Sequence, residues 1–365
     1  MKKIYSFLFL LSSLIITAQS GAPANPYYNG FNWTLTGASL KNALATKIIT
    51  THTNFISYTP GVWEAAKVTD LDPNNSSNVL LIYGWENASD ADVTNDLFRD
   101  KTMNGGNTGD WNREHVYAKS LGTPVLVDGG SGATSDAGED AHHIRAADVQ
   151  RNATRGNLKF AAGSGNSTSV TGGWYPGDRW KGDVARMMMY MYLRYGSQCL
   201  PTNVGVGTPV ASDSNMIDLF LNWNAQDPVD LYEDNRNTYH GNTSNTYAQG
   251  NRNPFIDNPY LATVIWGGTV AENRWPTVFL SLNDYNALAE VSVYPIPSNN
   301  NQVNIHSEIA LDEIDLININ GQILQQIKRP EFQDKNYTLQ NLPKGFYFLK
   351  LSANNASEIK KIIIN

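Results

Sequence analysis

The sequence has little sulfur chemistry and few long apolar segments. It contains a single cysteine, Cys199, in 365 residues, so an intrachain disulfide is excluded. Cys199 follows the apolar segment "MYLRYGSQ", which favours a buried thiol over a nucleophile. Outside residues 7–17, no segment approaches the ~18 apolar residues of a membrane span. We therefore expect a fold held together by its core, with help from a bound metal as a further option, and a soluble mature chain without a membrane span.

The first twenty residues have the order of an export signal. Lys2 and Lys3 form a charged start, residues 7–17 ("FLFLLSSLIIT") form an apolar core, and the small residues Ala18 and Ser20 follow. The apolar run is short for a bilayer span, which disfavours the alternative of an N-terminal membrane anchor. The pattern predicts a signal peptide over residues 1–20.

The chain has fewer basic than acidic residues, 27 Lys and Arg against 34 Asp and Glu. The net charge of −7 argues at first against a nucleic-acid partner. Residues 141–194, however, carry eight Lys or Arg and only three Asp, which gives this stretch a local net charge of +5. A basic stretch within an acidic protein suits a groove for one anionic substrate. The alternative is that these charges are scattered over solvated faces.

Length and composition indicate two globular units. The sequence changes character near residues 285–295. The part before the break is rich in Trp, Asn, Asp and Gly, whereas the part after it has no Trp and alternates short apolar runs with turn residues. Asn320-Gly321 suits a type I′ turn between two such runs. We predict a large unit over residues 25–285 and a small all-β sandwich over residues 290–365.

The tail also carries four segments in a specific order: "YPIPSNN" (294–300), "INGQIL" (319–324), "LPKGFYFLKL" (342–351) and "KKIIIN" (360–365). With these segments the tail resembles the C-terminal sorting domain of the type IX secretion system. The resemblance implies passage across the inner membrane by the signal peptide and across the outer membrane by recognition of residues 290–365. It implies a secreted or cell-surface protein and says nothing about activity.

In the large unit, periodicity predicts helices over residues 148–160, 182–196 and 212–224. The second of these is apolar on nearly every face, so we expect a buried central helix. The third should bury Met216, Leu219, Phe220 and Trp223 along one stripe. The Gly- and Ser-rich stretches 128–140 and 161–173 are predicted to be loops.

Three of the six histidines, His115, His142 and His143, fall within 29 residues. A zinc site is disfavoured because the spacing is not H-E-x-x-H and no cysteines accompany it. A nucleophilic triad is disfavoured because no G-x-S-x-G is present. A third arrangement fits better: a strand that ends at His115, a second strand near 142–146 and a helix that begins near 148. This order would bring His115 opposite Asn152.

Six motifs occur in that region in a fixed order: "NREH" (112–115), "DAHHIR" (140–145), "NATRGN" (152–157), "KGDVAR" (181–186), "DPVDLYEDNRN" (227–237) and "QGNRNPFIDNP" (249–259). With them the chain resembles the bacterial endonuclease I family, which has a ββα-metal (His-Me finger) core. It departs from the family pattern at Tyr117-Ala118, Ala146 and Asn258, none of which is an expected catalytic position. The resemblance implies an α+β fold: a ββα-metal nuclease core with additional helices, followed by the β-sandwich.

Residue chemistry agrees with the roles that this resemblance implies. A neutral imidazole near its pKa suits His115 for general-base activation of water. Magnesium prefers oxygen ligands and retains water, so Glu114 and Asn152 are a plausible protein contribution, with Mn²⁺ as the alternative metal. Arg155 and Arg113 are candidate phosphate clamps in the catalytic group. The remaining supporting candidates are Asp140, His142, His143 and Arg145.

One tension remains in this assignment. In a regular strand, Glu114 and His115 point to opposite faces, so both serve one site only if the strand breaks there.

Together these features predict a secreted Mg²⁺-dependent endonuclease, a monomer that hydrolyses DNA to 5′-phosphate products with little sequence selectivity, with RNA as a further candidate substrate. Two alternatives remain. One is an exported polyanion- or glycan-binding module that kept the fold without activity; the other is a metal-dependent phosphodiesterase for small substrates. The presence of Glu114, His115 and Asn152 together favours the nuclease.

Overall fold

The computed structural model describes residues 22–87, 89–129, 137–279, 291–353 and 356–365. The chain divides into two compact units, Met1–Val278 and Phe279–Asn365. The predicted signal peptide and most of the predicted break at 285–295 lie outside the described residues. Within the described ranges, no helix combines the length and the apolar character needed to cross a membrane.

In the described part of the large unit, more residues lie in helices than in strands. Its helices are α1 (Gly37–Thr51), α2 (Trp63–Thr69), α3 (Val149–Arg155), α4 (Lys181–Tyr195), α5 (Pro201–Val204), α6 (Asp218–Gln226), α7 (Leu231–His240), α8 (Pro254–Asp257) and α9 (Tyr260–Trp266). The predicted central helix is α4, which packs against α1 and α6. Its residues 182–193 are all buried, because Met and Tyr side chains cover nearly every face of the helix. It ends at Gly196, whose φ of 56° suits glycine.

The strands of the large unit are short. They are β1 (Leu71–Asp72), β2 (Asn75–Leu80), β3 (Phe98–Asp100), β4 (Trp111–His115), β5 (Ile144–Asp148), β6 (Thr168–Val170), β7 (Gly173–Tyr175), β8 (Pro209–Val210) and β9 (Asp213–Ile217). The first three form one sheet in the order β1-β2-β3, and the others pair as β4-β5, β6-β7 and β8-β9. A cluster of buried apolar residues that includes Trp111 and Ala146 joins the strands β4 and β5 to helix α2 and strand β2.

Three expectations for this unit were wrong in part. The helix predicted over 148–160 ends at Arg155, because Gly156 follows with a left-handed φ of 53°. The other two involve short strands. The helix predicted over 212–224 begins only at Asp218, because residues Asp213–Ile217 form β9 and pair with β8. The loop predicted over 161–173 contains β6, which pairs with β7. In the first case a short strand contains the start of the apolar stripe, and in the second a short strand interrupts the Gly- and Ser-rich stretch.

The small unit consists of two antiparallel sheets in a sandwich-like arrangement. One sheet has the order β10 (Ser292–Tyr294), β11 (Val303–His306), β14 (Asn336–Leu339); the other has the order β13 (Ile323–Lys328), β12 (Glu313–Asn318), β15 (Gly345–Ala353), β16 (Ala356–Ile364). Alternating residues of both sheets, such as Ile305, Ile314 and Leu349, form its core. The all-β prediction for this unit is therefore confirmed.

The predicted hairpin between β12 and β13 is present, but its turn differs from the predicted type. Asn318 and Gln322 pair through a backbone hydrogen bond of 2.9 Å, so three residues connect the strands. Gly321 has φ 80°, whereas no positive φ is found at Asn320. A type I′ turn requires a positive φ at both central residues, so the glycine instead closes a three-residue loop.

Candidate active site

The strand–strand–helix order predicted from the histidine motifs is present in the structure. Strands β4 and β5 are antiparallel, with Glu114 opposite Arg145 and His115 opposite Ile144. Helix α3 follows β5 directly, and the side chain of Asp148 caps it by accepting a 2.8 Å hydrogen bond from the Arg151 backbone N–H. The second strand begins two residues later than predicted, because residues 141–143 form a 3₁₀ turn.

Glu114 is buried and is held by one of its two carboxylate oxygens. Oε1 accepts hydrogen bonds from the Tyr83 hydroxyl and from Nη1 of Arg155, each 2.9 Å long. Among the described residues, Oε2 has no hydrogen-bond partner. Burial raises the pKa of Glu114, while Arg155 and Tyr83 act in the opposite direction. A cation at Oε2 would therefore satisfy an oxygen that the protein leaves unpaired.

Asn152 presents a second unpaired oxygen beside the same strand. Its Nδ2 donates to Oδ1 of Asn112 at 2.8 Å and to the Arg113 carbonyl at 3.5 Å. A carbonyl can only accept, which fixes the orientation of the amide and leaves Oδ1 without a partner among the described residues. Asn152 donates to the carbonyl of Arg113, the residue before Glu114. Arg155 lies one turn further along α3 and forms an ion pair with Glu114. Helix α3 therefore contacts residues 112–114 of β4 through both side chains, and the two unpaired oxygens belong to side chains held at this contact.

This donor set fits magnesium better than zinc. In the described ranges, no three His, Cys, Asp or Glu side chains come together as a metal cluster, and a structural or catalytic zinc site usually needs at least three protein ligands. Magnesium is commonly bound by one or two protein oxygens, with water and substrate phosphate completing its shell. Oε2 of Glu114 and Oδ1 of Asn152 suit that pattern.

His115 ends strand β4, and its ring stacks on Tyr58 with centroids 5.3 Å apart. Its Nε2 lies 2.8 Å from the Gly138 carbonyl, and because a carbonyl only accepts, Nε2 carries the proton. Nδ1 is then the unprotonated nitrogen. It has no partner among the described residues and is absent from the fully buried unpaired atoms, so it is open to solvent. Burial lowers the pKa of His115 to about 3, which keeps the ring neutral at neutral pH. This value differs from the expected imidazole near its pKa, and it makes the ring a weaker base than an exposed histidine.

Glu114 and His115 do point to different sides of the strand, as the alternation of a strand requires. Glu114 faces Tyr83 and α3, whereas His115 faces Tyr58 and the turn at Gly138. Pairing with β5 continues through His115, where β4 ends, so the expected break between the two residues is absent. Glu114 and His115 can therefore serve one site only from the two sides of the end of the strand.

The three candidate arginines have different environments. Arg155 is buried, and besides Glu114 it donates to the carbonyls of His115 and Val116 at 3.0 and 2.8 Å. Arg145 is buried against Asp183 at 3.1 Å and the Tyr232 hydroxyl at 3.0 Å. A phosphate could reach either guanidinium only by breaking these buried bonds, which favours a structural role for both.

Arg113 remains partly open to solvent. Its Nη1 bonds to the backbone and side chain of residues 58 and 59, and its guanidinium lies 3.5 Å from the centre of the Tyr58 ring. Nη2 has no partner among the described residues and is not fully buried. Of the three arginines, Arg113 is the one whose position suits contact with a phosphate.

The supporting residues form a buried network behind the histidine. Asp140 accepts hydrogen bonds from the His142 backbone N–H (2.9 Å), the Tyr190 hydroxyl (2.8 Å) and Gln249 (3.0 Å). The ring of His142 bonds to the Asn251 carbonyl and that of His143 to the Ala137 carbonyl. Neither ring bonds to Asp140, which instead holds the backbone of the turn. The network fixes residues 137–143 and so the carbonyl that orients His115.

The basic stretch 141–194 contributes less to a groove than its charge suggested. Three of its eight cations, Arg145, Arg155 and Arg186, are buried in ion pairs with carboxylates. Arg186, for example, lies 2.6 Å from Glu233. The expectation that the whole stretch faces an anionic substrate is therefore corrected: part of its charge neutralises buried acids.

Tyr83 and Tyr58 belong to this site, but sequence reasoning did not find them. Tyr83 is fully buried against Trp174, with ring centroids 5.6 Å apart, and has a φ of 73°. Burial raises its pKa well above the ordinary value, so the hydroxyl stays protonated and donates to Glu114. The only signal in the sequence is a tyrosine before glycine at the end of the apolar run "VLLIYG", which does not reveal where its hydroxyl points.

Two buried histidine rings also lie in contact within the supporting network. His142 and His240 have ring centroids 4.9 Å apart. Burial lowers the pKa of His142 to about 4 and holds that of His240 well below its ordinary value. Arg236 and His52 lower both values further, whereas Asp140 raises them. Both rings are therefore neutral in the folded protein at neutral pH.

We expect His240→Leu to make unfolding of the large unit less sensitive to acid. An unfolded histidine titrates near pH ~6.5. In the pH window below about 6.5, the unfolded chain therefore takes up a proton that the buried ring of His240 does not, and the protein loses stability as the pH falls through that window. Within that window, each such histidine removes up to about 1.4 kcal/mol of unfolding free energy per pH unit.

The measurement is urea unfolding followed by tryptophan fluorescence between about pH 7 and about pH 5. All nine tryptophans precede residue 276, so the signal reports the large unit alone. The unmodified protein should lose stability more steeply than the variant, and equal slopes would contradict the prediction.

Comparison with known proteins gives the following matches. The Endonuclease I family model matches residues 36–260, and the model for a secretion system C-terminal sorting domain matches residues 292–365. The extracellular ribonuclease of Bacillus subtilis (strain 168) is 43% identical over 266 residues, which cover 70% of this chain and 83% of the relative. The extracellular ribonuclease of Bacillus amyloliquefaciens is 42% identical over 265 residues, which cover 70% and 82%.

Proposed function

The chain belongs to the endonuclease I family, and we propose that it uses Mg²⁺ to hydrolyse both RNA and DNA, with little sequence selectivity, to 5′-phosphate products. As a family member with a C-terminal sorting domain, it is a secreted nuclease that acts on phosphodiester bonds. The observation that carries the proposal is the presence of three unpaired atoms on side chains of β4 and of the helix α3 that contacts it. These are Oε2 of Glu114, Oδ1 of Asn152 and Nδ1 of His115.

The residues divide the chemistry among them. His115 takes a proton from water at Nδ1, while its Nε2–H remains bonded to the Gly138 carbonyl and keeps the ring in one orientation. Arg113 binds a phosphate oxygen through its open Nη2. Glu114 and Asn152 would hold the Mg²⁺. When bound, the ion supplies charge neutralisation at the phosphate and the leaving 3′ oxygen.

Tyr83 and Arg155 act through Glu114. Both donate to Oε1, so the carboxylate is fixed and only Oε2 faces the proposed metal. Partners of this kind orient a ligand, and their loss typically weakens metal affinity by ~10–100-fold. We assign both as positioning residues. Arg155 was predicted from the sequence as a phosphate clamp, and its burial supports this different role.

RNA is included because both relatives are named extracellular ribonucleases and are 42–43% identical to this chain. The proposed lack of sequence selectivity is supported by the chemistry of the site. Its catalytic groups would contact the phosphate and the attacking water, and none is assigned to a base. We also propose that Mn²⁺ can replace Mg²⁺, since it accepts the same oxygen ligands, and that the protein acts as a monomer.

Removal of divalent metal is expected to abolish cleavage. The purified protein is incubated with plasmid DNA and, separately, with RNA in EDTA, and then with Mg²⁺ or Mn²⁺ restored. Cleavage should stop in EDTA and return with either metal. Cleavage that persists in EDTA would refute the metal-dependent scheme. Binding of both nucleic acids without cleavage would favour the polyanion-binding alternative, and cleavage of small phosphodiesters alone would favour the small-substrate phosphodiesterase.

A further inference from the structure

A pocket of about 220 Å³ lies beside the metal-facing residues and is not used by the mechanism above. Three glycine-containing segments, two of which also contribute a tryptophan, surround it. Its lining residues are Gly84, Trp85, Gly165, Asn166, Ser167, Gly177, Asp178, Arg179 and Trp180. We refer to it as the Trp85 pocket.

The Trp85 pocket is connected to both proposed metal ligands by short contacts. Tyr83, which holds Glu114, is two residues before Trp85, and its carbonyl accepts a 2.6 Å hydrogen bond from the pocket residue Ser167. On the other side, Arg151 donates to the Ser167 carbonyl at 3.2 Å and directly precedes Asn152. A substrate strand whose phosphate sits at the metal ligands would therefore bring a neighbouring nucleotide to this pocket.

The ring of Trp85, in contact with the guanidinium of Arg151, forms one part of the pocket wall. Trp85 is half-buried, and the guanidinium carbon of Arg151 lies 4.4 Å from the centre of its ring. Trp85 is also anchored through its backbone N–H, which donates to the Asn95 carbonyl at 2.9 Å. Gly84 permits this position, since a Cβ there would lie 2.0 Å from the Asp96 carbonyl oxygen. The ring is thus a fixed stacking surface.

The rim carries two polar side chains that form no hydrogen bond or ion pair with the described residues. Arg179 and Asn166 are exposed, and neither has a hydrogen bond or ion pair to any described residue. The guanidinium carbon of Arg179 lies 5.2 Å from the centre of the Trp180 ring. Asp178, by contrast, is occupied by the Tyr175 hydroxyl, Lys181 and the Gly165 backbone N–H. The rim therefore provides a cation without a carboxylate partner among the described residues, which could bind a phosphate, and an unpaired amide, which could bind the edge of a base, beside an aromatic wall.

We propose that the Trp85 pocket binds an unpaired nucleobase of the substrate strand, next to the phosphate that is cleaved. This proposal rests on the proposed function and adds a substrate class to it, single-stranded RNA and DNA. Base stacking on an aromatic side chain tolerates any sequence, because every base has a π face. A base within a duplex must first be unstacked and flipped out, at a cost of a few kcal/mol. The pocket therefore favours single strands over duplexes without favouring a sequence.

The test measures binding of a labelled single-stranded RNA and of its duplex form to the full-length protein in EDTA, so that cleavage does not interfere. Trp85→Ala is expected to weaken single-strand binding about 5- to 150-fold, the range for loss of one stacked base, with duplex binding unchanged within about 3-fold. Trp85→Phe keeps an aromatic face and should stay within about 3-fold of the unmodified protein.

Arg179→Ala is a second variant on an exposed side chain, which avoids dependence on the folding of the Trp85 variant. It should lower the slope of log affinity against log salt by about 1. The proposal is overturned if the unmodified protein binds both forms equally, or if folded Trp85→Ala binds the single strand as tightly as the unmodified protein does. It is also overturned if Arg179→Ala leaves the salt slope unchanged.

Cleavage and binding measurements distinguish failure of the proposed nuclease function from failure of the Trp85 pocket proposal. A protein that cleaves RNA and DNA with Mg²⁺ but shows no effect of Trp85→Ala retains the proposed function and loses the pocket. A protein that binds single strands through Trp85 in EDTA but cleaves neither substrate with Mg²⁺ retains the pocket and loses the proposed function.

Discussion

His115→Ala is expected to slow cleavage of RNA and DNA by ~10²–10⁴-fold, the typical contribution of a positioned general base. Mg²⁺ affinity should stay nearly unchanged, because neither ring nitrogen is assigned to the metal. The structure supplies the reason for the rate loss. Nε2 is engaged by the Gly138 carbonyl, so Nδ1 is the one basic nitrogen that water can reach. The measurements are single-turnover cleavage rates and calorimetric titration with Mg²⁺.

His115→Gln is the matched variant for this experiment. Its amide can still donate a hydrogen bond toward Gly138, but it cannot accept a proton near neutral pH, so it should be as slow as the alanine variant. Added metal should not restore either variant, whereas added imidazole restores part of the rate if the cavity admits it. A variant that loses Mg²⁺ binding but keeps its rate at saturating metal would show that His115 is a ligand and not the base.

Glu114→Ala is expected to affect both metal binding and folding. It removes the carboxylate partner of Arg155, and loss of one member of a buried ion pair typically costs ~3–5 kcal/mol of stability. Glu114 and Arg155 are both almost fully buried, at 2% and 1% relative exposure. This expectation differs from that for an exposed ligand, which can be removed with little effect on stability. Urea unfolding followed by tryptophan fluorescence measures the stability, and calorimetry measures the Mg²⁺ affinity.

Two further variants separate the effects. Glu114→Gln retains an oxygen for Tyr83 and Arg155 but places an amide group at the metal-facing position, so it should lose Mg²⁺ binding with a smaller loss of stability. Glu233→Gln disrupts a different buried pair, with Arg186, and should lower stability while leaving Mg²⁺ affinity unchanged in the folded protein. If Glu114→Gln binds Mg²⁺ like the unmodified protein, Glu114 is not a ligand.

Local patterns in the sequence predicted much of the fold. The central helix was expected over 182–196 and is found over Lys181–Tyr195, because a long run of Met and Tyr without a strand period has few other ways to be buried. The start of α6 was missed because Met216, Leu219 and Phe220 fit a helical period although Met216 lies on a strand. An apolar stripe that crosses from a strand to a helix does not reveal its own boundary.

The candidate site could be predicted only in part. Motif order placed Glu114, His115 and Asn152 around one strand and one helix. It gave no information on which cations would be buried, since the partners of Arg145 and Arg186 lie 38 and 47 residues further along the chain. It also gave no information on Tyr83, which reaches Glu114 across 31 residues. Contacts of this kind depend on tertiary packing, which a single sequence does not encode in its spacing.

Tyr83 has a left-handed backbone conformation, so backbone strain and side-chain function favour different residues at this position. A φ of 73° costs a non-glycine residue about 1–2 kcal/mol, so glycine at position 83 would relieve the strain. Glycine would also remove the hydroxyl that holds Glu114 and would leave a cavity beside Trp174. Selection for a relaxed backbone therefore favours glycine, whereas selection for catalysis and packing retains tyrosine. A strained tyrosine that persists in descendants of this chain would record continued use of the site, and its replacement would be an early sign that a lineage has abandoned nuclease activity while keeping the scaffold.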